Sequence, residues 1–176
     1  KDVTALEAKS DVLWNELRAR GVTNVAIGDL GNEVGMGTIG AHIKKYVPFT
    51  APGECQCGCG GGILAASCAD NIITATCSDW GCYALMAALA YLKKDMNILH
   101  REEMESEVMR VLSRNGMIDM TGSLLPGVDG FDTRMNVGIV SLMRQCTAYA
   151  VRFSHNSDHW FGPVLEKGFF EENSAD

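Results

Sequence analysis

Val25-Ala-Ile-Gly-Asp-Leu-Gly-Asn-Glu-Val-Gly-Met-Gly37 is the stretch on which the fold turns. Three β-formers run straight into a loop that holds four glycines, one Asp, one Asn and one Glu. That order predicts a buried strand ending in a polar loop. Glycines there let the backbone take positive φ and approach a ligand closely. Open α/β sheets bind ligands at the carboxyl ends of their strands. Asp29 and Glu33 are expected at such an end, with Asn32 beside them. Two carboxylates and an amide can hold a hard cation, steer an amine or move protons. The plainer reading is a tight turn whose Asp and Asn only cap backbone groups.

Outward from this loop, strands and helices alternate. Residues 3–20 read as an amphipathic helix with Val3, Leu6, Leu13 and Leu17 near one face and Gly21 as its stop. Residues 22–27 form the strand before the loop, and residues 38–46 a short helix stopped by Pro48. Residues 50–62, with Pro52 and a run of glycines, are loop. Residues 63–68 and 72–77 read as two short strands, or one strand bent at Ala69-Asp70-Asn71. Ser78 is expected to cap a helix to about residue 92. A further helix spans 101–114, with Met104, Val108, Val111 and Leu112 on one face and Asn115-Gly116 ending it. Asp132 or Thr133 caps a last helix to about residue 151, and the tail from Asn173 is expected to fray. The alternation predicts one α/β domain over residues 1–176, with a parallel or mixed sheet, helices on its faces and a Rossmann-like layout.

Composition narrows the function classes. The chain has 176 residues, 47% hydrophobic and 21% charged, in the range of a globular domain. Net charge is −7, and basic residues occur only in short pairs such as Lys44-Lys45 and Lys93-Lys94. A nucleic-acid surface needs clustered Lys and Arg to displace counterions, so nucleic acid is excluded as a partner. The longest apolar run, residues 84–92, is too short to span a bilayer, and no membrane partner is expected. The chain opens at Lys1, inside a helical pattern, and reads as a piece of a longer protein. Seven cysteines in apolar or glycine-rich contexts suggest a reducing compartment rather than a disulfide framework.

Three segments together carry a family resemblance. Gly28-Asp-Leu-Gly-Asn-Glu-Val-Gly-Met-Gly37 resembles the glycine-rich signature of the C-terminal domain of mitochondrial D-glutamate cyclase and its bacterial relatives. Ala69-Asp-Asn-Ile-Ile-Thr-Ala-Thr-Cys-Ser-Asp-Trp-Gly-Cys-Tyr-Ala-Leu85 resembles that family's second motif, and Val128-Asp-Gly130 a third. Leu30, Asp79 and Cys82 depart from the pattern, which usually has Gly, Asn and Gly there. The resemblance implies a lyase that converts D-glutamate to 5-oxo-D-proline and water. It implies a larger α/β domain of which this chain is a fragment. It also implies an N-terminal domain of the same parent chain as partner and a mitochondrial matrix location. No cofactor is implied, although the loop leaves a divalent metal open.

The reaction needs an acid and a base, for which Asp29, Glu33 and Asp70 are the candidates. Asp70 is expected near the same sheet edge as Asp29; its plainer role is an Asx-turn. Gly31, Asn32, Ser78, Asp79, Trp80 and Gly81 are the candidate substrate holders, because a helix N-terminus attracts carboxylates. Its plainer role is a capped helix with a core Trp.

Other readings stand beside this one. Ile27-Gly-Asp-x-Gly-Asn-Glu33 also resembles the Mg²⁺-binding loop of haloacid-dehalogenase-type phosphatases, but their D-x-D motif does not occur in the chain. A non-catalytic module that binds an acidic amino acid is the third reading. Cys55-Gln-Cys-Gly-Cys59 could chelate a metal, but C-x-C lacks zinc's usual C-x₂-C spacing, so a reduced loop without metal is expected. His155 and His159, with Asp158 between them, read as a surface turn rather than a zinc site.

Overall fold

The computed structural model describes residues 9–56, 58–153 and 162. The chain divides into two compact units, Lys1–Cys82 and Tyr83–Asp176. The expected histidine pair lies outside the described residues, as do Cys57 and the tail.

In the first unit, helix α1 (Ser10–Ala19) leads through Gly21 at φ 76° to strand β1 (Val25–Gly28). A 3₁₀ turn (Gly37–Ile39) runs into α2 (Gly40–Tyr46), and β2 (Asn71–Thr74) precedes α3 (Ser78–Lys93), whose residues from Tyr83 on belong to the second unit. β1 and β2 pair in parallel, from Val25 opposite Asn71 to Gly28 opposite Thr74. Ala26, Met36, Ile43 and Ala69 form the core, with Trp14, Ile39, Val47, Leu64, Ala65 and Ile72 packed around it.

The protein is therefore α/β, as the alternation of elements implies. Three details differ from the pattern. Trp14 anchors α1: its indole N–H donates to the Cys68 carbonyl at 2.9 Å. Leu13 and Leu17, the expected apolar face, stay exposed at 62% and 38%. Residues 63–68 do not form a strand. Their backbone groups bond to loops instead, Ala65 N–H to Gly31 O at 2.9 Å and Gly37 N–H to Ser67 O at 2.9 Å. Among the described residues this stretch takes part in one isolated antiparallel bridge, Met36 to Cys68.

Close packing explains why glycine stands at two signature positions. Gly31 has φ 101°, and a Cβ there would lie 2.7 Å from Ile43 Cδ1. Gly81 lets the first turn of α3 sit on the strands, because a Cβ there would lie 2.6 Å from Ile27 Cγ2. Gly81 is buried against the strands.

The second unit contains α4 (Glu102–Arg114), a hairpin of β3 (Gly127–Val128) and β4 (Phe131–Asp132), and α5 (Thr133–Phe153). The hairpin turn is Asp129-Gly130, with φ of 51° and 81°, as a type I′ turn requires. That gives Val128-Asp-Gly130 a structural role. Asp132 caps α5, its Oδ1 accepting the Met135 N–H at 2.9 Å, as expected. α4 packs on α5, but not through the expected face. Glu105 and Met109 are buried, while Met104, Val108, Val111 and Leu112 are 39–58% exposed. A carboxylate can lie inward here because it has partners: the Tyr83 hydroxyl donates to Glu105, and His100 Nε2 lies 2.9 Å from Glu105 Oε2. No described helix is long and apolar enough to cross a membrane.

Candidate functional site

The loop that follows β1 wraps around the carboxylate of Glu33. Oε1 accepts the N–H of Asp29 at 2.9 Å and of Leu30 at 3.2 Å, and Oε2 accepts the N–H of Gly31 at 2.8 Å. Successive backbone N–H groups turned onto one anion form a nest. Gly28 makes room for it, because a Cβ there would lie 2.7 Å from Glu33 Oε2. Glu33 is thus a structural anion that fixes the shape of the loop.

Asp29 sits on the rim of this nest and reaches the next element. Its Oδ2 accepts the Ser78 N–H, at the first turn of α3, at 2.8 Å. Ser78 is therefore not the helix cap that its residue type suggests. The Cys77 carbonyl opens the helix, accepting from Trp80 at 3.0 Å and Gly81 at 3.4 Å, and the capping carboxylate comes from Asp29. A negative group at this end also meets the helix dipole favourably.

The two carboxyl groups share a hydrogen bond and divide their proton affinities. Asp29 is raised from its ordinary 3.8 to about 6. Loss of water around its carboxyl is the main cause, then the hydrogen bond to Glu33, while the Ser78 N–H pulls the other way. Burial alone would raise Glu33 too, but the N–H of Asp29, the Asp29 side chain and other loop N–H groups outweigh it, and Glu33 falls from 4.5 to about 2. Between those values the pair holds one proton, on Asp29. Carboxylates whose environments push them apart in this way make acid–base partners.

This division fixes how stability should depend on pH. The raised group, Asp29, contributes stability that is full below 3.8 and is lost as pH rises through about 6. The depressed group, Glu33, contributes stability that is full above 4.5 and is lost as pH falls through about 2. The pair's joint contribution should therefore peak near pH 4. Denaturation measured from about pH 3 to about pH 7 should show the decline above pH 4 in the wild type and a smaller one in Asp29→Asn. Equal declines in both would count against this division of the proton.

Asp70 is not part of this pair. β1 and β2 are parallel, so Asp29 follows the end of β1 while Asp70 precedes the start of β2. Five residue steps separate their levels, about 16 Å along the strands. The expectation that they share a sheet edge is corrected. Asp70 and Asn24 instead clamp the opposite end of the two strands. Asn24 N–H donates to Asp70 Oδ2 at 3.1 Å, and Asp70 N–H donates to Asn24 Oδ1 at 3.0 Å. Arg18 Nη2 lies 3.8 Å from Asp70 Oδ1.

The expected substrate holders also part company. Gly31 contributes its N–H to the nest, and Ser78 contributes its own to Asp29. The N–H groups of Trp80 and Gly81 are committed to the Cys77 carbonyl, so they do not form an anion cradle. Asp79 lies one residue beyond Ser78, with its Oδ2 3.8 Å from Cys77 Sγ. Asn32 is exposed and lines a separate cavity of about 490 Å³ with Asp11, Asn15 and Arg18 of α1. These α1 residues are absent from the sequence reading; their signal was a polar stripe at i, i+4 and i+7 on the helix. Of the Cys55–Cys59 loop, Cys55 is half-buried and Cys59 exposed, and neither forms a disulfide among the described residues.

An α/β protein with a carboxyl pair at the C-terminal end of a parallel strand, cradled by a glycine-rich loop, is the class that fold and site define. Within it, the chain belongs to the D-glutamate cyclase-like, C-terminal family, whose model matches residues 1–144. No curated protein matches the chain.

Proposed function

We propose that this chain is the C-terminal domain of a lyase that converts D-glutamate to 5-oxo-D-proline and water, with Asp29 as the proton-transfer group. The observation that carries the proposal is the Asp29–Glu33 pair, in which Asp29 is raised to about 6 beside a carboxylate held at about 2. Membership of the D-glutamate cyclase-like family supplies the substrate.

The chemistry asks for such a group. The substrate nitrogen starts as an ammonium and must lose two protons as it bonds to the side-chain carboxyl carbon. One oxygen of that carboxyl leaves as water and takes up both protons. A carboxyl that is ionised part of the time near neutral pH can accept a proton from nitrogen and deliver it to the leaving oxygen. Glu33 does not exchange protons in this range; it holds the loop and keeps Asp29 basic. Both Glu33 oxygens are turned onto backbone N–H groups, which favours this reading over the Mg²⁺ loop of a phosphatase. No cofactor is part of this proposal, and a divalent metal at the loop stays open. An N-terminal domain of a longer chain and a mitochondrial matrix setting belong to the same proposal, on the resemblance of the motifs.

The test is direct. Purified protein incubated with D-glutamate should release 5-oxo-D-proline, resolved by chiral chromatography. A preparation of the whole parent chain that forms none would overturn the proposal and leave amino-acid binding without turnover as the alternative.

A further inference from the structure

α4 buries Glu105 and Met109 and leaves a second face outside. That face carries Met104, Val108, Val111 and Leu112, spaced i, i+4, i+7 and i+8, so they form one apolar stripe. Met117 and Ile118, just beyond the last turn, are exposed as well. The Met117 N–H donates to the Leu112 carbonyl at 3.1 Å, which keeps this end of the chain against the helix. Single exposed apolar residues are ordinary, but a continuous stripe marks an interaction surface.

The charges beside the stripe say what covers it. Glu103, Glu107, Arg110 and Arg114 are spaced i, i+4, i+7 and i+11, so they run down one flank, roughly a third of a turn round the helix from the stripe. The two acids lie toward the N-terminus and the two bases toward the C-terminus. That order suits the helix dipole, but the dipole does not ask for a single flank. A second helix of the same sequence does. In an antiparallel pair related by a two-fold axis, the same flank of each helix lies on the same side. Glu103 then faces Arg114 of the second copy, and Glu107 faces its Arg110. One register serves both, because both pairs are centred between Val108 and Met109. Val108 of the stripe falls near the axis. Glu107 already holds Arg110 of its own helix, with Nε 2.6 Å from Oε2, so the two copies would join these pairs into one network. A parallel pair sets the charged flank against the opposite side of the second helix and gains none of this.

We infer that the outer face of α4 is a self-association surface. A second copy of this chain docks on it in antiparallel orientation, through the Met104–Val108–Val111–Leu112 stripe and the flank of opposite charges. Charges placed this way set partner and orientation, while the apolar stripe supplies the burial.

Sedimentation velocity of the full chain over a concentration series tests this. A species of twice 19.0 kDa should form at concentrations on the order of 10 μM. Arg110→Glu with Arg114→Glu makes the flank wholly acidic, and Glu103→Arg with Glu107→Arg makes it wholly basic. Each of these variants alone should self-associate about 10-fold or more weakly, because every facing pair becomes a like-charge pair. An equimolar mixture of the two should recover wild-type association as a heterodimer. Val108→Asp should abolish the dimer. None of these five positions is buried, and thermal melts confirm that each variant is folded. A wild-type chain that stays monomeric up to about 100 μM would overturn the proposal and leave the face to another segment of the parent chain. A dimer that survives Val108→Asp would overturn it too, by placing the contact elsewhere. A mixture that associates no better than either charge variant alone would overturn the antiparallel pairing.

Discussion

Asp29→Asn should lower the rate of 5-oxo-D-proline formation by about 100-fold or more, while the melting temperature moves little. The substitution keeps nearly every contact. The asparagine oxygen can still accept the Ser78 N–H that Asp29 Oδ2 now takes at 2.8 Å. Its NH₂ can donate to Glu33, replacing the proton that the pair shares. The proton-accepting oxygen is lost, and with it the group that titrates near 6. Asp29 lies outside the hydrophobic core cluster, so the core does not depend on it. Parallel assays of turnover and thermal melting separate the two effects. Turnover at the wild-type rate would reduce Asp29 to a helix cap, where Asn serves about as well as Asp.

Glu33→Gln should behave in the opposite way, although it is the same exchange of carboxylate for amide. Both Glu33 oxygens accept backbone N–H groups. A glutamine has one oxygen, so its NH₂ must face an N–H donor on one side of the nest. The N–H groups of Asp29 and Leu30 can turn to water, since both residues are exposed, but Gly31 is buried. The expected cost is about 2 kcal/mol, the penalty of one buried donor left unmet. Glu33 also raises Asp29, through their hydrogen bond and through like charge. With that influence gone, the acid limb of the pH–rate profile should move to lower pH. Chemical denaturation and the pH profile of the variant check both parts. A variant as stable as the wild type would mean that the nest does not order the loop.

The arrangement of the loop after β1 was legible because its signal is local. Strand, glycines and acidic residues follow one another within residues 25–37, and the structure keeps them together as Asp29, Gly31 and Glu33. The Asp132 cap of α5 was legible for the same reason. What failed depended on register or on distant partners. Asp70 is acidic and flanks a strand, but only the register shows that it flanks the wrong end. Ser78 has the residue type of a cap, yet a carboxylate 49 residues earlier in the chain takes that role. The buried face of α4 was misplaced because apolar periodicity discounts a glutamate, and Glu105 turns inward only because Tyr83 and His100 meet it. The residues 63–68 have strand composition, but loops, not a strand, meet their backbone groups.

Carboxyl ¹³C NMR titration of Asp29 tests the central claim most directly. It reads the proton on the group itself, before any substrate is added. The Asp29 resonance, assigned by its loss in Asp29→Asn, should titrate with a midpoint near 6, while Glu33 stays ionised down to about 2. An Asp29 midpoint near the ordinary 3.8, with Glu33 near 4.5, would contradict the account, because neither carboxyl would then be set apart for proton transfer near neutral pH.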